Sequence, residues 1–169
     1  MFEDEAGFGR ISEPANCWAP PKCRPSVPNQ KIREYRTVYG AVSPQDGASI
    51  FMVLEKGNTE NMNIFLKALS EKFPDDLILL ILDQASYHKS KGLKIPKNIT
   101  FFHLLPRCPQ MNPIETVWRE IRKRGFKNKA FKSIAEVIDK FYEVISKMTQ
   151  KVFQSITSWP WIESVIGGD

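Results

Sequence analysis

The residues best suited to chemistry are acids that stand far apart in the chain: Asp83, which ends the aliphatic run LILLIL, Glu115 in MNPIETVW, and the pair Asp4-Glu5 in MFEDEAGFG. Each has an ordinary explanation. Asp favours turns and helix starts, so Asp83 reads as the cap of the turn after the run. Asn112 and Glu115 have the spacing of a capping box, with Pro113 well placed at the first helical position. Asp4 and Glu5 fit an exposed strand face near a terminus, although acids are disfavoured in strands. The alternative is convergence. Carboxylate oxygens are the ligands of hard cations such as Mg²⁺, which are held by a few acids together with substrate phosphates. Two such ions about 4 Å apart serve the attacking and the leaving oxygen of a phosphodiester.

Basic charge is available beside two of these acids. REIRKRGFKNKAFK, residues 119 to 132, holds seven bases and one acid, and Lys89, Lys91, Lys94 and Lys97 follow Asp83 closely. Solvated surface and phosphate contact are both consistent with these runs. Lys89, Lys91, Arg119, Arg122, Lys123, Arg124 and Lys127 are the candidates for holding a phosphate backbone.

Positioning the acids falls to elements that the pattern supports. Residues 1 to 9 read as a short strand. Residues 36 to 43 and 49 to 55 are β-branched and aromatic, and the PQDGA turn between them predicts a hairpin. Five of the twelve prolines lie between residues 14 and 28, which predicts a long loop with a small ribbon of its own. TENMNIFLKALSEK, residues 59 to 72, has helical spacing with Thr59 as its cap. The uninterrupted run Leu77 to Leu82 predicts a strand covered on both faces, and residues 99 to 105 repeat its character. From Asn112 onward the periodicity is helical, and Ile114, Val117, Trp118 and Ile121 define the buried face of the first helix, with Glu115 at its margin. The element order predicts an α/β domain, a mixed sheet flanked by helices, and Asp83 falls at a strand's carboxyl end, where such sheets gather functional groups.

A chain of 169 residues, 42% hydrophobic, suits one domain with a substantial core. Its formal charge of +5 favours an anionic partner. Cys17, Cys23 and Cys108 are too few and too scattered for a zinc ribbon or a disulfide framework. No apolar run reaches the roughly 20 residues of a membrane span, and the acidic start lacks the character of a secretory signal. A cytoplasmic protein without membrane contact is the expectation.

Taken together, FEDEAGFG, LILDQASYHKSKGLKIPKNI and PQMNPIETVW resemble, in order and spacing, the catalytic domain of bacterial insertion-sequence transposases of the mariner-like superfamily, the DDE enzymes. The resemblance spans almost the whole chain. It implies a ribonuclease-H-like fold with a five-stranded mixed sheet, and Mg²⁺- or Mn²⁺-dependent cutting and joining of DNA, with two ions bound alongside DNA. By position, Asp4, Asp83 and Glu115 match the three catalytic, metal-holding acids. Glu5 completes the family's Asp-Glu pair and stands behind the metal site or exchanges roles with Asp4. Gln84 and His88 fall on the Asp-(Asn or Gln)-Ala-x-x-His pattern, and Asn112 matches too. His88 has two readings, one orienting a carboxylate or touching DNA, the other a capping or core histidine. Arg107 and Cys108 depart from the Tyr and Ser that such proteins carry before the third motif. Implied partners are transposon ends, target DNA and a second copy of the chain on DNA, in a bacterial cytoplasm. Relatives carry an N-terminal helix-turn-helix region, and the chain starts three residues before Asp4, so a single catalytic domain over residues 1 to 169 without that region is expected. Two rivals stand beside a transposase: a ribonuclease-H-like nuclease that does not join strands, and a non-catalytic DNA-binding remnant.

Overall fold

Alternation of small, aromatic and acidic residues from Phe2 carries the chain through a strand longer than the first nine residues suggest. In the computed structural model, which describes residues 1 to 106 and 108 to 166, β1 runs Phe2–Ile11, β2 Lys31–Val42 and β3 Ser49–Leu54. The departure noted at Arg107 lies outside the described residues. Helix α1 (Thr59–Lys72) leads to β4 (Ile78–Leu82) and β5 (Ile99–His103), and four helices follow: α2 (Ile114–Gly125), α3 (Ile134–Ser146), α4 (Gln150–Thr157) and α5 (Pro160–Ile166). Strand order is β3-β2-β1-β4-β5, antiparallel across β1–β2–β3 and parallel across β1–β4–β5. This is the mixed five-stranded sheet flanked by helices that the sequence predicts.

Several local expectations are corrected. The small ribbon in the proline-rich loop is an extension of the main sheet, since Ile11 pairs with Lys31 beyond a register shift. Asn58, not Thr59, caps α1: its side chain accepts the Asn61 amide at 2.8 Å, and Asn is the stronger cap. β4 is not covered on both faces. Ile78, Leu80 and Leu82 are buried against α1, whereas Leu79 on the other face is 50% exposed, because the helices on that side pack over β1 and β2.

Two cores sandwich the sheet. Ala6, Phe8, Val38 and Val42 meet α2, α3 and α4 around Trp118 and Phe141, while Tyr39, Ala41, Leu80 and Leu82 meet α1 through Met62, Phe65, Leu66 and Leu69. Burying a large apolar side chain contributes about 1.5 to 3 kcal/mol, so both layers hold the central strands firmly. The faces of β1 therefore differ: Asp4, Ala6 and Phe8 turn toward α2, and Glu3 and Glu5 toward the α1 side. No described helix is long and apolar enough to cross a membrane.

Candidate active site

Strand register sets the first two acids side by side. Phe2 pairs with Ile81 in the parallel β1–β4 ladder, so two residues further on Asp4 is level with Asp83, and the period of two puts both on the α2 face. Asp83 lies just past the carboxyl end of β4. Its Oδ1 accepts the Ala85 amide at 2.8 Å, the turn contact expected of a capping Asp, and the same oxygen lies 2.9 Å from His88 Nδ1. The side chain is still 57% exposed. Capping and availability to solvent thus coexist in one carboxylate.

The third acid arrives on α2. Asn112 anchors the start of that helix by donating from Nδ2 to the Glu3 carbonyl of β1 at 2.8 Å, and its Oδ1 accepts the Ile114 amide at 3.4 Å. The capping box does not form. The Asn112 amide donates instead to Pro109 O at 2.9 Å, within the 3-10 turn Pro109–Met111. With that amide taken, Glu115 is exposed and its carboxylate makes no hydrogen bond among the described residues.

Asp4, Asp83 and Glu115 line one cavity of about 380 Å³, whose other wall is Leu104, Leu105, Pro106, Cys108 and Pro109. Trp118 Nε1 donates to Asp4 Oδ2 at 3.1 Å. This contact depends on Gly40, opposite Asp4 in the β1–β2 ladder, because a Cβ there would stand 2.5 Å from the Trp118 ring. Burial, then the charges of Glu115 and Glu5, push the Asp4 carboxyl from 3.8 up to about 7. Among the described residues that line it the cavity has no basic side chain, and its three carboxylates offer the all-oxygen donor set that Mg²⁺ and Mn²⁺ take.

Glu5 is on the far side of β1 from this cavity, so it does not stand in for Asp4. Its Oε1 is 3.2 Å from His88 Nε2. His88 is 2% exposed and bridges Glu5 to Asp83, a core position that also orients a carboxylate. Burial alone would lower its imidazolium, but the hydrogen bond to Glu5 and the charges of Glu5 and Asp83 raise it above the ordinary value. Gln84 ties the ends of β4 and β5 together, donating from Nε2 to Leu104 O at 2.8 Å and accepting from Lys89 Nζ at 2.6 Å. Glu3, which sequence reasoning passed over, is fully buried beside Glu5 and His88. Its signal was parity: in a strand where Phe2, Ala6 and Phe8 mark one face, Glu3 and Glu5 must share the other.

The bases divide by engagement. Arg119 and Lys123 are exposed one and two helical turns beyond Glu115 on the same side of α2, and Lys91 and Lys127 are exposed as well. Arg124 donates to Glu120 at 2.8 Å but keeps its surface position. Arg122 does not fit the grouping with free bases. It stacks 4.9 Å over the Phe8 ring, pairs with Glu13 at 3.2 Å and donates to Gly7 O at 3.2 Å, because its position on α2 faces β1 rather than solvent.

Comparison with known proteins agrees with this architecture. The family model described as DDE superfamily endonuclease matches residues 1–138. An uncharacterised protein of Sinorhizobium fredii, y4pE/y4sA, is 37% identical over 102 residues, 60% of this chain and 76% of that protein. Among solved structures, the Mos1 transposase paired-end complex with left transposon end superposes with a TM-score of 0.71 at 13% identity, over 98% of this chain and 54% of the Mos1 chain. The Mos1 mariner paired end complex with Mn gives the same values, TM-score 0.71 at 13% identity over 98% and 54%. The chain thus spans about half the length of the Mos1 chains whose fold it shares.

Proposed function

The chain belongs to the DDE superfamily endonucleases, and from that premise we propose that it cuts DNA at the ends of a mobile element and joins the freed 3′-hydroxyl to target DNA, using Asp4, Asp83 and Glu115 to hold two Mg²⁺ or Mn²⁺ ions. The observation that carries this reading is that three acids from β1, the end of β4 and the start of α2 line a single cavity. When bound, such ions supply Lewis acidity at both the attacking and the leaving oxygen of an in-line displacement.

The chain's own residues do the positioning. Trp118 Nε1–H holds Asp4 Oδ2, and the Ala85 amide and His88 hold Asp83 Oδ1, so contacts within the chain orient both acids. Glu115, unused in capping, adapts to whatever the substrate phosphate leaves uncoordinated. Arg119, Lys123 and Lys127 hold the phosphate backbone without reading bases, so binding weakens as salt rises. Two copies of the chain on paired element ends complete the proposal.

A duplex carrying a labelled element end, incubated with Mn²⁺, tests the reading. Removing one ligand of a site that supplies several kcal/mol of transition-state stabilisation should slow cleavage by at least about 1,000-fold, so Asp83→Ala should give no detectable nicking. Nicking by Asp83→Ala at the wild-type rate overturns the assigned site. Pre-cut ends offered with a target plasmid should yield joined species; cleavage without joining leaves a nuclease, and neither product leaves a DNA-binding remnant.

A further inference from the structure

Behind the cavity, on the α1 side of β1, lies a second group of acids that the cleavage chemistry does not use. Glu3 is 0% exposed, and among the described residues neither of its carboxylate oxygens has a hydrogen-bond partner. Its Oε2 lies 3.8 Å from His88 Nε2, the nitrogen that Glu5 Oε1 approaches to 3.2 Å. One donor atom from each of the three residues falls within 4.8 Å of the others. Among the described residues, His88 is the only basic side chain within 4.0 Å of either glutamate. Two buried carboxylates against one imidazole leave a deficit of positive charge, which a protein meets with a proton or a metal ion.

We propose that Glu3, Glu5 and His88 bind a divalent transition-metal ion of the Zn²⁺ type, at a site distinct from the Asp4–Asp83–Glu115 cavity. Donor chemistry separates it from a Mg²⁺ site, because imidazole suits Zn²⁺ whereas Mg²⁺ takes oxygen and keeps its waters. Spacing fits as well. Tetrahedral ligands about 2.0 to 2.2 Å from Zn²⁺ stand roughly 3.3 to 3.6 Å apart, and the two distances to His88 Nε2, 3.2 and 3.8 Å, bracket that range. The second ring nitrogen completes the pattern. A metal-bound histidine usually donates its other N–H to a carboxylate, and His88 Nδ1 lies 2.9 Å from Asp83 Oδ1. That bond fixes the tautomer, leaving the Nε2 lone pair for the ion. The ion then orients Asp83 through the imidazole, so Glu3 and Glu5 act on the cavity as positioning residues.

The site stands whether or not the cavity cleaves DNA, and its test reads metal rather than cleavage. In an Asp4→Asn/Glu115→Gln background, which disables the cavity as a metal site, chelator-stripped protein is dialysed against micromolar Zn²⁺ and the bound metal is counted by mass spectrometry. One retained equivalent is expected, together with visible d–d absorption when Co²⁺ replaces Zn²⁺. Adding Glu3→Gln should weaken Zn²⁺ binding by at least about tenfold and remove the absorption. Glu5→Gln provides the same reading should circular dichroism show that Glu3→Gln is unfolded. Absence of Zn²⁺ in the background protein means that Glu3 keeps a proton instead and overturns the proposal, as does undiminished Zn²⁺ binding in the glutamine variants.

Discussion

Replacing Asp4 by Asn should make the metal-free protein more stable while abolishing its cleavage of DNA. The Asp4 carboxyl is pushed from 3.8 to about 7 by burial and by the charges of Glu115 and Glu5. Each tenfold change in a proton equilibrium corresponds to about 1.4 kcal/mol, so holding the ionised form disfavours the fold by on the order of 4 kcal/mol. Water in the cavity screens part of this, and about 2 to 4 kcal/mol is the working range. The sign follows from linkage. A carboxyl whose folded value is raised contributes stability that is complete below its unfolded value and is lost as pH climbs through its folded value, here between about pH 4 and pH 7. Asn has the same shape, can still accept the Trp118 Nε1–H bond, and does not ionise. In chelator at pH 8, urea unfolding should therefore show Asp4→Asn more stable by about 2 to 4 kcal/mol. For a domain of this size that raises the melting temperature by roughly 4 to 16 °C. At pH 5 the gain should shrink to less than half. Mn²⁺ should raise the melting temperature of the wild type and leave the variant almost unmoved. A variant no more stable than wild type at pH 8, or a gain equally large at pH 5, would refute the electrostatic account of the cavity.

Further outcomes follow from other contacts. Arg119→Ala and Lys123→Ala should each reduce the slope of log affinity against log salt by about one, equally for any DNA sequence, in a fluorescence titration. Arg122→Ala should leave that slope unchanged and instead lower stability by about 1 to 2 kcal/mol in urea, because the guanidinium is spent on Phe8, Glu13 and Gly7 O. Gly40→Ala drives a methyl to 2.5 Å from the Trp118 ring; overpacking of this kind costs about 1 to 3 kcal/mol, and the displaced indole should also slow cleavage. Gly47→Ala is strained twice, by a φ of +75° and by a Cβ 1.9 Å from the Gln150 carbonyl oxygen; calorimetry should record a loss of about 2 to 4 kcal/mol.

Much of this fold was legible because its signals are local and agree with one another. PQDGA between two β-branched runs could hardly be anything but a hairpin, and the stripe Ile114, Val117, Trp118 and Ile121 indicated which side of α2 would be buried. Where the reading missed, distant contacts had decided. Leu79 reads as core in LILLIL yet is half exposed, since nothing in that run reveals how far α2 to α4 extend across the sheet. Arg122 and Arg119 are both bases on one helix, and only the docking of α2 on β1 makes the first a packing residue and leaves the second exposed. The capping box at Asn112 was a fair local inference, defeated by a neighbouring 3-10 turn that claimed the Asn112 amide first.

The acids at the start of the chain carry the larger lesson. FEDE reads as one charged cluster, but a strand sends successive side chains to opposite faces, so it is two half-sites separated by the thickness of a sheet. Asp4 joins Glu115 on the α2 side, while Glu3 and Glu5 join His88 on the α1 side. Asp83 joins the two through its side chain, lining the cavity while its Oδ1 rests on His88. A change at Glu5 should therefore reach the cavity by two routes, through His88 and Asp83 and by removing its charge from beside Asp4. That gives Glu5→Gln and Asp4→Asn different signatures: the first should weaken Mn²⁺ affinity and leave some cleavage at saturating metal, whereas the second removes a ligand that no excess of Mn²⁺ restores. Equal and complete loss of cleavage in both variants at saturating Mn²⁺ would mean that the two faces of β1 act as one site.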